Sequence, residues 1–347
     1  MKNQLILSLI CLVCCSFYSC TKTESKQFFE MKGIILSVQD LETTDWPALA
    51  SKNGINTIGT HMFPDQVSSF LQTDKGKAFL QSCQKHGIAV EHQLHAMKEL
   101  LPRELYSEDS TMFRMNEEGR RVTDFNCCTS SDKALDIIAS KALEYAKLLP
   151  PSNHRYYFWL DDGAPTCQCP SCSKYTASEQ ALIIENRMIK ALRTFDPQAQ
   201  LAHLAYFNTL DAPQKTKPEE GIFLEFAPFL RTWEKPLSDL SAEGRGMKHS
   251  ENLKYLHDNL KVFPAETAVI LEYWLDVSLF SNWKKPAVDL PWHKDVFKSD
   301  IDTYAKLGIK NITSFAVYID ADYLKTYPAE SYLNEYGEGL NSYRLSK

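Results

Sequence analysis

Residues Tyr156 to Cys172 read YYFWLDDGAPTCQCPSC. An aromatic run with the composition of a buried strand ends in two adjacent aspartates. A Gly and a Pro follow, then three cysteines within six residues. Adjacent carboxylates at a strand end repel, so one pKa rises and the other falls, which can make an acid and a base from one residue type. Asp-Gly is also common turn chemistry, so a cap on the following turn is the plain alternative, and a Ca²⁺ site is another. The segment after the thiols, Ser178–Phe195, has helical character and stops at Asp196-Pro197. Strand, loaded turn and helix together form one β-then-α unit.

The rest of the chain repeats that unit. Strand-like runs occur at Gly33–Val38, Ile55–His61, Ile88–His95, Tyr156–Asp161, Gln200–Tyr206, Gly221–Phe226, Thr267–Trp274 and Asn311–Tyr318. Amphipathic segments separate most of them: Trp46–Lys52, Lys75–His86, Ser131–Leu149, Ser250–Val262 and Lys294–Leu307. Asn53-Gly54, His86-Gly87 and Leu307-Gly308 recur as helix stops just before a strand. Eight such units predict a (β/α)8 TIM-type barrel. The open doubly wound sheet is disfavoured, because no GxGxxG follows the first strand. Asn208–Glu220 is Pro- and Lys-rich and reads as a loop, so the barrel should be degenerate around its fifth helix. Ala96–Asn126 is charged, turn-rich and too long for a simple βα loop, which places it on an active-site rim.

Composition narrows the classes. With 347 residues, 44% of them hydrophobic, the chain can build a large core, and its net charge of −6 argues against a nucleic-acid surface. Lys2 and the apolar run Leu5–Val13 read as a signal peptide, too short to span a bilayer. Ser19-Cys20 and the polar TKTESK after it predict lipidation at Cys20. The expected organisation is a lipoprotein signal over 1–20, a tether over 21–30 and one domain over 31–347. The expected location is the cell envelope, lipid-anchored to the outer membrane, with that anchor as the sole membrane contact. There is no GxSxG elbow, no HExxH and no Walker loop.

Barrel chemistry collects at the C-terminal strand ends. Those ends carry His61, His92 and His95, Asp161 and Asp162, Tyr206 and Asn208, and Glu225. Glu272, Tyr273, Trp274 and Asp276, then Tyr318, Asp320 and Asp322, complete the ring. Carboxylates with aromatics are the ingredients of a carbohydrate site, and Trp233, Trp283 and Trp292 lie near the same rim. The candidate catalytic residues are Asp161, Asp162, Glu225 and Glu272. The candidate sugar-holding residues are His61, His95, Tyr206, Asn208, Tyr273, Trp274 and Asp320. Cys167-x-Cys169-x-x-Cys172 has metal-like spacing but one ligand too few for structural zinc. Cys127, Cys128 or Cys83 could complete it, and one or two disulfides are the alternative in an exported protein. No cofactor is needed for the chemistry.

The run FWLDDGAPTCQCPSC resembles a group of bacterial, Bacteroides-type exported lipoproteins with a domain of unknown function related to glycoside hydrolases. Asp196-Pro197, Ala205-Tyr206, Phe226–Arg231 (FAPFLR), Glu272–Trp274 (EYW) and Asn282-Trp283 extend the likeness over roughly residues 125 to 345. That group is similar in fold to α-glucuronidases and to substrate-assisted hexosaminidases. The O-GlcNAcase-like enzymes carry two adjacent aspartates at the end of strand four. By that resemblance Asp161 would polarise a substrate acetamide and Asp162 would protonate the leaving oxygen, with the sugar's own carbonyl as nucleophile. In a glucuronidase-like site Asp162 would instead be the acid, and Glu225 or Glu272 would activate water. The reading is therefore an exported glycoside hydrolase-like protein acting on a glycan. The alternative is a glycan-binding lipoprotein on the same barrel without turnover, and a metal-dependent hydrolase is a third.

Overall fold

The computed structural model describes residues 27–345. Cys20 and the expected signal and most of the tether lie outside the described residues. Eight parallel strands close into a barrel. They are β1 Met31–Ser37, β2 Thr57–His61, β3 Ala89–His95, β4 Arg155–Trp159, β5 Gln200–Ala205, β6 Ile222–Phe226, β7 Val269–Glu272 and β8 Asn311–Phe315. Each pairs with its neighbour in sequence, and β8 returns to β1 with Met31 opposite Asn311 and Ile35 opposite Phe315. The (β/α)8 reading is correct.

Parallel strands covered on both faces read as near-continuous apolar runs, and Ile34, Ile35 and Leu36 of β1 are fully buried. The interior is packed solid. A Cβ on Gly59 of β2 would come within 3.1 Å of Ile35 and 3.3 Å of Gln93, so any larger residue there would make those side chains give by a few tenths of an ångström. Around the strands run α1 Trp46–Lys52, α2 Asp74–His86, α3 Asp132–Leu148, α4 Ala177–Leu192, α5 His249–Asn259, α6 Lys294–Lys306 and α7 Glu330–Ser342. Their ends carry local signals. Ser131 caps α3, and Thr176 with Glu179 forms a capping box on α4. Gly87 closes α2 in the left-handed conformation, with φ 66°, and Gly54 and Gly308 do the same at the other stops.

The fifth helix is indeed missing. Between β5 and β6 the chain makes one 3₁₀ turn, Phe207–Thr209, and then crosses as a loop. That loop leans on α4. Glu179 accepts from the Lys215 amide at 2.6 Å, and Asn186 both donates to the Lys217 carbonyl and accepts from the Glu219 amide. α7 was not foreseen in the sequence. Long excursions follow β3, β6 and β7, and topology puts all of them on the C-terminal face. Among the described residues no helix is long and apolar enough to cross a membrane.

Candidate functional site

A cleft of about 760 Å³ opens on that C-terminal face. Trp159, the last residue of β4, forms part of its floor. The indole N–H donates to Glu225 Oε2 at 2.8 Å. His61 and His95 flank this ring, with centroids 5.8 and 5.1 Å away. His61 Nδ1 sits 2.8 Å from the Gln93 carbonyl and His95 Nδ1 sits 2.6 Å from the Leu160 carbonyl. A carbonyl only accepts, so both Nδ1 atoms carry a proton. Burial, with His95 nearby, pushes His61 down to about 3 and keeps it neutral.

The aspartate pair separates. Asp162 lines the cleft near Tyr206; burial first, then the Asp162 charge, raises the tyrosine pKa. Asp161 does not line the cleft. Its Oδ2 accepts from Arg103 at 3.1 Å and from the Asn126 amide at 2.6 Å, while its own amide donates to Asn126 Oδ1 at 3.0 Å. Arg103 and Asn126 belong to the excursion after β3, so Asp161 ties that excursion to the end of β4. Asn208 shares this supporting role, donating to the Ala164 carbonyl at 2.9 Å. Gly163 completes the turn at φ 56°, with the Phe207 ring 3.5 Å from where a Cβ would stand.

The second carboxyl in the cleft is Asp276, not either glutamate. Its Oδ1 accepts from the Ser278 amide and hydroxyl and the Leu279 amide, capping the turn Val277–Phe280. Oδ2 takes no part in that cap. Burial pushes Asp276 up to about 6. Asp40, also raised to about 6 by burial, accepts from the Tyr318 amide at 3.1 Å and contributes to the Asp276 shift.

Aromatic rings make the walls. Tyr206, Phe207, Phe229, Tyr273, Trp283 and Tyr318 all face the cleft. Three of them have positive φ: Phe207 at 49°, Trp283 at 54° and Tyr318 at 75°. Bulky residues rarely adopt that conformation, and such strain, about 1–3 kcal/mol each, concentrates at functional sites. Trp283 is 55% exposed and Phe207 46%.

Several sequence candidates lie elsewhere. Glu225 is sealed in the barrel interior beneath Trp159, and burial raises its pKa well above normal. Glu272 points out of the barrel into a dry network. It accepts from Arg231 at 2.8 Å, Trp233 at 3.0 Å and Tyr304 at 2.5 Å. Arg231 also pairs with Asp300 at 2.8 Å, and Trp274 donates to Asp300 at 3.0 Å. Glu272 and Trp274 therefore brace α6 against the excursion after β6, while Tyr273 between them faces the cleft. Asp320 caps Ala321–Thr326 and pairs with Lys285. Trp292 donates to Glu335 of α7. Phe63, Phe207, Phe229 and Phe315 also line the cleft and were missed. Phe207 had a signal, since it directly follows Tyr206 at the end of β5.

The thiols gather beside this site. Sγ atoms of Cys128, Cys167, Cys169 and Cys172 lie within 4.8 Å of one another, all buried, and could hold a metal ion. Cys83 and Cys127 pack in the main apolar core instead.

Comparisons with known proteins agree with this architecture. A glycoside hydrolase family 20 β-N-acetylglucosaminidase superposes with a TM-score of 0.52 at 8% identity, over 90% of this chain and 70% of that one. A tri-modular family 5 endo-β-1,4-glucanase from Bacillus licheniformis, complexed with cellotetraose, gives 0.51 at 9% identity, over 90% and 60%. An endo-β-mannanase/endo-β-glucanase from Prevotella bryantii gives 0.50 at 10% identity, over 90% of this chain and 49% of that one. At such identities the likeness is one of fold. A search of the curated proteins finds no match. Residues 63–333 match a family described as a domain of unknown function, DUF4838, and the chain belongs to that family.

Proposed function

We propose that the protein is a glycan-active barrel whose cleft cleaves a glycosidic bond with two carboxyl groups, Asp162 and Asp276. The observation that carries this reading is their joint presence in one aromatic-walled cleft at the C-terminal face. Hydrolysis through an oxocarbenium-like transition state needs a proton donor and a second group that supports the nucleophile. A carboxyl held near 6 by burial keeps its proton through mildly acidic pH, which suits Asp276 to donating it to the leaving oxygen. Asp162, which shares the cleft wall with Tyr206, is placed to orient either an attacking water or a substrate amide. His61 offers a lone pair and His95 a ring nitrogen to sugar hydroxyls, and the exposed face of Trp283 offers a stacking surface.

The enzymes that share the fold act on β-linked glycans by their names, which supports the substrate class. Asp161 acts on this site by positioning, through Arg103 and Asn126. The reading includes export and a lipid at Cys20, so the glycan would be met at the cell envelope.

The test is turnover of a panel of aryl glycosides, including N-acetylhexosaminides and α-glucuronides, by protein lacking residues 1–20. Release abolished in Asp162→Asn, with unchanged thermal stability, supports the hydrolase. Glycan binding retained without release from any panel member or natural oligosaccharide refutes it in favour of a non-catalytic binding barrel.

A further inference from the structure

We propose that Cys128, Cys167, Cys169 and Cys172 form a mononuclear structural zinc centre, with Cys128 as the fourth ligand that the C-x-C-x-x-C loop lacks.

Spacing is the first argument. Zn–S bonds of about 2.3 Å in a tetrahedron put the sulfurs about 3.8 Å apart. Cys128 Sγ lies 3.8 Å from both Cys169 Sγ and Cys172 Sγ. A disulfide needs about 2.05 Å, and none of these cysteines is bonded to another. Neither is the spacing that of a cluster with several irons, whose cysteines must straddle a larger core.

The surroundings are the second argument. Four thiolates around a divalent cation leave a net negative charge that needs donors. The Met115 amide donates to Cys167 Sγ at 3.3 Å, and Arg121 Nη1 approaches the same sulfur at 3.7 Å. The Thr129 hydroxyl is 3.2 Å from Cys172 Sγ, and the Ser130 hydroxyl is 3.1 Å from Cys128 Sγ. Such outer contacts orient ligands and tune the ion. The backbone is held as firmly. Gln180 of α4 accepts from the Cys167 amide and donates to the Cys167 and Cys172 carbonyls, at 3.1, 3.1 and 3.3 Å. Cys172 and Ser173 both donate back to the Cys169 carbonyl at 2.9 Å, folding the loop into a tight knuckle.

All four ligand positions come from protein, so the ion has no open site and plays no part in bond cleavage. It joins two segments. One is the loop that follows Asp162. The other is the segment ending the excursion after β3, which carries the Arg103 and Asn126 contacts to Asp161. The centre thus fixes the turn that presents Asp162 from a side the hydrogen bonds do not cover.

The experiment is metal analysis of purified full-length protein by mass spectrometry, with mercurial titration of its thiols and colorimetric detection of released metal. The expected result is one zinc per chain, released with the titration of four thiols. Cys128→Ser should lose the metal, whereas Cys127→Ser and Cys83→Ser should keep it. The wild-type release measurement needs no variant to fold, so it stands if Cys128→Ser is insoluble. Stoichiometric iron would overturn the zinc assignment. A mass lowered by one or two disulfides, or free thiols that fail to take up added zinc, would overturn the site altogether.

Discussion

Replacing Glu272 separates two readings of the same residue. From its place at a strand end it was a candidate to activate water. In the structure it is the hub of a dry network with no exposed surface. Glu272→Ala removes the acceptor for Arg231, Trp233 and Tyr304 together. Breaking a buried ion pair from one side costs about 3–5 kcal/mol, because the remaining charge loses its compensation. Arg231 keeps Asp300 at 2.8 Å, which favours the lower half of that range. A domain of roughly 320 residues has an unfolding entropy of about 0.7 kcal/mol/K near its midpoint. The expected fall in Tm is therefore about 4–6 °C. Differential scanning calorimetry reads it directly, with Glu272→Gln, which retains an acceptor oxygen and the volume, showing a smaller fall. Turnover per folded molecule should change little. An unchanged Tm with activity lost would sink this reasoning and return Glu272 to the chemistry.

Other outcomes follow from the same geometry. Glu225→Gln replaces a carboxyl whose pKa burial raises well above normal with a neutral isostere, so stability should move by under about 1 kcal/mol. Activity should also survive, and its abolition in a folded variant would refute the sealed placement. Asp276 has a folded pKa raised to about 6 against about 4 unfolded, so its stabilising protonation is complete below pH 4 and is lost as pH rises through 6. Asp276→Asn should therefore gain stability relative to wild type as pH goes from 4.5 to 7.5, by about 2 kcal/mol, while losing turnover. A Tm difference independent of pH would contradict the burial. Trp283→Ala removes a largely exposed ring and should leave Tm within about 1 °C. Glycan affinity by calorimetry should fall about fivefold, on the scale of one aromatic contact of about 0.5–1.5 kcal/mol; equal affinity would remove Trp283 from the site. Arg103→Met unpairs the half-buried Asp161 and should lower kcat with little change in Tm. Rescue by Arg103→Lys would mark a positioning role carried by charge.

The barrel was legible because its signals are local and repeated. Each strand is an apolar run, and three helices end at a glycine that takes a left-handed turn. The last helix escaped because Tyr332, Tyr336 and Leu340 read as a scattered aromatic tail until their helical spacing is set against β1. Alternation along β7 separates Tyr273 from Glu272 and Trp274, since neighbours on a strand face opposite ways, a rule that the ring of strand-end candidates left unused. The same rule does not separate Asp161 from Asp162, which lie beyond the last paired residue of β4. Their divergence is decided by Arg103, 58 positions earlier, and no local pattern announces that partner. Asp276 was visible as a strand-end carboxyl. Its pKa is raised by burial and, in small part, by the charge of Asp40 from the other end of the chain, which sequence spacing cannot express. Cys128 over Cys127 is a choice between adjacent residues, made by which way one loop turns.

Closure of the barrel between β1 and β8 has a consequence for how the chain reaches its native state. The seam is reinforced at long range: the Tyr336 hydroxyl of α7 donates to the Gly33 carbonyl, 303 positions away, and Asn341 donates to the Gly54 carbonyl. The first barrel strand has one edge unsatisfied until β8, the last, exists. Contacts this distant in sequence form late and slowly. Folding must therefore finish after synthesis of almost the whole chain, and until then the opening strand presents a bare edge to its surroundings. A protein that crosses a membrane unfolded would lose nothing by this order of events, because its ends meet only on the far side.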